Sequence, residues 1–272
     1  ERGELSMHYQ PLVSLKDGSL LGFEALLRWH HRENIFISPA QFIPIAENTG
    51  LIIPITNWIL DETCRQLAEW QKISYATQDL IVSVNISGKH LSNFSLIEDV
   101  KKSLQKSNLS PSSLKLEITE SAAMENAMQS IQILTSLKEL GVQLSIDDFG
   151  TGYSSLSYLH RLPFDTLKID RSFVNTVGEN GEDSEILETI ISLAKNLKMR
   201  VIAEGIETES QLNILKNLGC DYGQGYLMSR PLPVEKMEVL LGQKQFWLPI
   251  AKDEEQNAIQ TDLPPDENIG VF

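Results

Sequence analysis

Short apolar runs with strand character alternate along this chain with stretches whose apolar residues recur every three to four positions. The runs are HYQPLVSL (8–15), LGFEALLRW (21–29), LIVSVNIS (80–87), LKLEITES (114–121), VQLSIDDF (142–149), TLKIDR (166–171), RVIAEGI (200–206) and GQGYLM (223–228). Between most of them the spacing predicts helices. In ITNWILDETCRQLAEW, Ile55, Ile59, Thr63 and Leu67 fall on one stripe, and in DSEILETIISLAKNLK the stripe is Ile186, Ile190, Leu193 and Leu197. Such stripes suit helices that cover a sheet.

The first two runs are joined by KDGS, and Asp-Gly between alternating runs signals a hairpin, so this pair is expected to be antiparallel. From the second run on, the order is strand, helix, strand. The pattern predicts an α/β protein, a (β/α)8 barrel of the TIM type with one antiparallel strand at its start. An open doubly wound sheet would also alternate, but no dinucleotide-type glycine fingerprint follows the first strand. The barrel is expected to occupy residues 1–242. Residues 243–272 then read as an acidic, mobile tail, because the periodicity fades there and Pro264-Pro265 interrupts it.

Composition narrows the function. The chain has 272 residues, 42% of them hydrophobic, and a formal net charge of −14. The tail from Ala251 carries one Lys against six acids, so most of the acidity belongs to the body. An acidic body argues against a DNA or RNA polymer as partner, since such binding neutralises phosphates with Lys and Arg. No apolar run reaches the roughly 18 residues of a membrane span. No leader pattern is visible, and the start at Glu1 without Met is expected of a domain cut from a longer protein. Cys64 and Cys220 have neither metal nor redox spacing and read as thiols of a reducing compartment, the cytoplasm. Any membrane anchor would lie in other domains.

The candidate chemistry sits near the C-terminal ends of the runs. Strand side chains alternate, which places Glu24, Leu26 and Arg28 on one face and Lys168 with Asp170 on another. Asn85, Glu117, Asp147 with Asp148, and Glu204 interrupt otherwise apolar segments at the same depth. In a parallel barrel those ends share one mouth. One acid at a strand end is usually a rim residue or a helix cap, but six strands in register are hard to read that way. Five carboxylates in one mouth call for cations, and oxygen ligands without Cys or a His cluster select hard ions such as Mg²⁺ or Mn²⁺. Asp147 is placed to bridge two ions and Asp148 to hold one. The GTGYSS stretch follows directly and could order when metal or substrate binds. It is not a phosphate-binding Walker loop, since no Gly-Lys-Ser/Thr follows. His8, His30, His31, His90 and His160 lack metal spacing, and no G-x-S-x-G elbow appears.

YQPLVSL, FEALLRW, VNIS, LEITES, DDFGTGYSSL, LKID, AEGIET and QGYLMSRPLP together closely resemble the EAL family of cyclic di-GMP phosphodiesterases, whose triplet stands here as Glu24-Ala25-Leu26. The resemblance runs from about Gly3 to Leu240. It implies a modified TIM barrel and metal-dependent hydrolysis of this bacterial signalling nucleotide to linear pGpG, with two Mg²⁺ or Mn²⁺ ions per site. Carried over, Glu24, Asn85, Glu117 and Asp147 hold one metal, and Asp147, Asp148 and Glu204 the second. Lys168 holds the attacking water, Glu204 acts as general base, and Glu120 anchors the glycine loop. Arg28 contacts a phosphate, Gln10 faces the ligand, and Asp170, Glu207 and Gln224 support the substrate. The family commonly dimerises near the glycine loop and often follows a GGDEF or sensor domain. The departures, Ile86, Ile206 and Met228, touch none of these roles. Two rivals remain open: a catalytically silent cyclic di-GMP receptor, and a barrel metalloenzyme for another phosphate ester.

Overall fold

The computed structural model describes residues 3–31, 35–73, 77–151, 156–177, 184–242 and 247–248. The strands are β1 (Leu5–Ser14), β2 (Leu20–His31), β3 (Ile35–Ile37), β4 (Ile81–Asn85), β5 (Leu114–Thr119), β6 (Gln143–Phe149), β7 (Thr166–Ile169), β8 (Arg200–Ala203), β9 (Tyr222–Gly223) and β10 (Leu232–Pro233). The helices are α1 (Pro39–Thr49), α2 (Ile52–Trp70), α3 (Gly88–Leu91), α4 (Ser95–Ser107), α5 (Glu120–Glu125), α6 (Ala127–Glu139), α7 (Leu156–Leu159), α8 (Arg171–Asn175), α9 (Ser184–Asn196), α10 (Glu209–Leu218) and α11 (Val234–Leu241).

Strand pairing runs β1–β2–β4–β5–β6–β7–β8–β9 and returns to β1, so eight strands close an α/β barrel. All neighbours from β2 round to β9 are parallel. β1 alone runs against both of its neighbours, with Gln10 opposite Glu24 and Val13 opposite Gly223. This is the modified TIM barrel expected from the hairpin at Asp17-Gly18. β3 extends the sheet beyond β2, and β10 adds to β1.

Alternation then assigns the faces. Leu12, Ser83, Lys115, Ser145, Thr166 and Ile202 lie two residues below the mouth positions of their strands and fill the interior, all buried. The opposite faces meet the helices in a continuous apolar layer. Tyr9 and Phe23 are not left to aliphatic contacts alone: the ring of Trp70 from α2 packs on both, with centroids 4.7 and 4.9 Å away.

 The centroids of Phe23 and Tyr9 themselves lie 6.4 Å apart, edge to face.

Two expected elements differ. In α9 the buried face is Leu187, Ile190, Ile191 and Ala194, while Ile186 is exposed, because the helix packs one position round from the predicted stripe. The last barrel strand is Tyr222–Gly223, ahead of most of the GQGYLM run. There the chain turns: the Leu227 N–H donates to the Ile206 carbonyl, and the Met228 N–H to that of Gly225. Past the expected boundary at 242, Trp247 is buried against the core. The acidic stretch 249–272, expected to be mobile, lies outside the described residues.

Candidate active site

The mouth is assembled one strand at a time. β2 contributes Glu24 and Arg28, β4 Asn85, β5 Glu117, β6 Asp147 and β7 Lys168, while Glu204 and Gln224 follow β8 and β9 directly. Glu24, Glu117 and Lys168 are almost wholly buried, and Asp147, Glu204 and Gln224 nearly so.

Lys168 is the hub. Its Nζ lies 2.6 Å from Glu117 Oε2, 2.6 Å from Glu204 Oε1, 3.2 Å from Asp147 Oδ1 and 3.6 Å from Glu24 Oε2. Burial opposes the charge on Lys168, but Asp147, Glu117, Glu204 and Glu24 outweigh it and hold the ammonium well above its ordinary pKa. Part of the repulsion that the sequence assigns to cations is thus met by a side chain. One ammonium cannot neutralise four carboxylates. Burial pushes Glu117 up to about 8, and drives Asp147 and Glu204 upward as well. Two amides knit the rim: Asn85 Nδ2 donates to Glu24 Oε1 at 2.9 Å, and Gln224 Nε2 donates to Glu24 Oε2 at 2.6 Å.

Asp148 takes the left-handed backbone, φ 51°, which turns its side chain away from the alternation of β6. Burial, and then Asp147, push its carboxyl up to about 6. One oxygen from each of Asp147, Asp148 and Glu204 lies within 4.8 Å of the others. This donor set fits a hard divalent ion. Glu117 Oε1 and Gln224 Oε1 are buried with no hydrogen-bond partner among the described residues, so acceptor capacity is left over in the same place.

Glu120, the first residue of α5, is buried, and its Oε2 accepts the Gly150 N–H at 2.9 Å. Gly150 has φ 97°, and a Cβ there would meet the Phe173 ring at 2.7 Å. The start of the loop is therefore fixed on both sides, whereas residues 152–155 of GTGYSS lie outside the described residues.

Two cavities flank the carboxylates. The larger, about 520 Å³, lies on the Asp147–Asp148 side, and its apolar wall includes Ile43 of α1 and Ile52 and Ile59 of α2. The smaller, about 60 Å³, collects Gln10, Arg28, Glu204, Glu207 and Gln224. Gln10 Nε2 donates to the Ser229 carbonyl at 3.1 Å, and Arg28 Nη1 to the Leu27 carbonyl at 3.0 Å. Asp170 is half-buried and caps α8, accepting the Ser172 N–H at 2.9 Å. The sequence reading omitted Arg171 and Tyr226 of the smaller cavity and the isoleucine wall of the larger one. Arg171 stood in plain view, one position past Asp170. The isoleucines carry no chemical signal.

The EAL domain family model matches residues 1–231. The bifunctional diguanylate cyclase/cyclic di-GMP phosphodiesterase MucR of Pseudomonas aeruginosa is 46% identical over 237 residues, 87% of this chain and 34% of that protein. The cyclic di-GMP phosphodiesterase NbdA of the same organism is 44% identical over 243 residues, 89% of this chain and 31% of that protein. The chain thus spans about a third of the length of the curated relatives it matches. The structure of the PaMucR phosphodiesterase in complex with c-di-GMP superposes with a TM-score of 0.81 at 45% identity, covering 87% of this chain and 95% of that one.

Proposed function

This chain belongs to the EAL domain family, and from that premise we propose that it hydrolyses cyclic di-GMP to linear pGpG with two divalent cations, Mg²⁺ or Mn²⁺. The observation that carries the reading is the complete acid set at one mouth, with Asp147, Asp148 and Glu204 gathered within 4.8 Å. Glu24, Asn85, Glu117 and Asp147 would hold one ion, and Asp147, Asp148 and Glu204 the other. When bound, such ions supply Lewis acidity, acidifying water and neutralising charge on the phosphate oxygens. The chain's own residues do the rest. Lys168 orients the water, and Glu204 takes its proton. The water oxygen bonds to phosphorus as the P–O3′ bond breaks, and the 3′ oxygen leaves as a hydroxyl, taking up the proton that Glu204 received from the water. Arg28 and Gln10 hold the nucleotide from the smaller cavity, with Glu207, Gln224 and Asp170 behind them. Glu120 keeps Asp147 and Asp148 in place through Gly150.

The second reading is a silent cyclic di-GMP receptor. The intact acid set disfavours it, since binding alone needs no general base. Chromatography of products separates the two: the wild type should release pGpG with Mg²⁺ or Mn²⁺ and none in chelator. Tight binding without turnover would establish the receptor, and turnover in chelator would end the two-metal account. No helix among the described residues is long and apolar enough to cross a membrane. We place the domain in the cytoplasm, as a homodimer joined to sensor or GGDEF domains.

A further inference from the structure

The two cavities differ in charge. The described lining of the larger includes Glu47, Glu125, Asp147 and Asp148 but no Lys, Arg or His. The smaller, on the Glu204 side, sets Arg28 and Arg171 against Glu204 and Glu207, so it alone of the two offers cations. A cyclic dinucleotide carries two phosphodiesters, each with one negative charge. With one of them at the carboxylate cluster, the other lies to one side within the span of the ring. An acidic wall repels it, and the arginine pair attracts it.

The two arginines are placed differently. Arg28 is buried, and its Nη1 is engaged by a backbone carbonyl. Arg171 is exposed, and no carboxylate among the described residues forms an ion pair with it. Its stem is nonetheless held. Gly205, with φ 68°, lies so close that a Cβ there would come within 2.6 Å of Arg171 Cβ. That contact brings the first turn of α8 against the residue following Glu204 and keeps Arg171 at the cavity.

We propose that Arg171 binds the phosphate that is not cleaved, and so selects a substrate with two phosphodiesters over one with a single phosphodiester. A guanidinium presents two parallel N–H donors to a phosphate, a geometry an ammonium lacks. The inference rests on the cyclic di-GMP reading above and adds a residue to its substrate contacts.

Steady-state kinetics with Mn²⁺ on wild type, Arg171→Ala and Arg171→Lys would compare cyclic di-GMP with bis(p-nitrophenyl) phosphate, which has one phosphodiester. Calorimetry of cyclic di-GMP with Ca²⁺ would supply affinities. In Arg171→Ala, KM for cyclic di-GMP should rise at least tenfold and kcat change much less, with Kd weakened in parallel. The loss in kcat/KM on cyclic di-GMP should exceed that on the single diester at least tenfold. Arg171→Lys should recover part of it. A KM within twofold of wild type, or equal losses on both substrates, overturns the assignment. If the wild type binds cyclic di-GMP without cleaving it, the enzyme reading fails and the Kd ratio alone decides the role of Arg171. If the wild type does not bind it, both proposals fall.

Discussion

Lys168 is the cation on which the buried carboxylates depend, so Lys168→Met should cost about 3–5 kcal/mol in chelator by leaving buried charges unpaired. Saturating Mg²⁺ should recover more stability in this variant than in the wild type, as read by equilibrium unfolding in urea. Equal stability of the two proteins in chelator would mean that the carboxylates do not rely on Lys168. The same cluster sets a pH dependence. Glu117 is pushed by burial from 4.5 up to about 8. The native state keeps this proton where the unfolded chain has released it. Its contribution is full below pH 4.5 and is lost as pH rises through about 8. Asp148, pushed up to about 6, acts in the same sense. Metal-free stability should therefore fall between about pH 5 and 8, by at most about 1.4 kcal/mol per pH unit for each proton, and Mg²⁺ should flatten the slope. A rise across that range would contradict this. At this scale the acids were readable from the sequence because alternation within strands is strict. The grip of Lys168 on Glu117 and Glu204 was not, since distances between strands depend on barrel closure.

The short α5 and the start of the glycine loop act as one element through the bond from Gly150 N–H to Glu120. Glu120→Ala should lower metal affinity and turnover while the fold survives, and Glu120→Gln should retain part of both, because an amide oxygen still accepts the bond. Titration calorimetry with Mn²⁺ is the direct check, and wild-type affinity in Glu120→Ala would remove the anchoring role. Gly150→Ala should be worse: it forces a left-handed residue and presses on Phe173, costing about 1–3 kcal/mol for the backbone alone. Element identity was legible where runs were long, as in β2 and β6. It failed at β9, where two residues complete the barrel and a turn at 225–228 imitates a strand in composition. It slipped in α9, because Ile186-Leu187 and Ile190-Ile191 are adjacent apolar pairs and periodicity cannot choose between their members.

For the whole molecule, eight strands close the barrel and Trp247, past the last described helix, is buried against the core. A chain stopped after Leu248 keeps every described residue and should keep its urea midpoint. One stopped after Gly242 loses a buried Trp and should be weaker by about 3–5 kcal/mol. Equal midpoints for the two would show that Trp247 adds nothing. Alternation of strand and helix announced the barrel, but Trp247 was missed, because the apolar run FWLPIA (246–251) lies beyond the last helical pattern and carries no periodicity of its own. The reversed β1 also has a consequence for synthesis on the ribosome. Its hairpin with β2 can form early, but its other edge pairs with Gly223 and Pro233, near the far end of the chain. The nascent sheet must therefore wait, open at that edge, until nearly all of the domain has emerged. Contacts so distant in sequence are slow to form, and an unpaired edge invites association with other chains. Chains released prematurely, before β9 is made, would carry that open edge and become natural clients for chaperones or proteases.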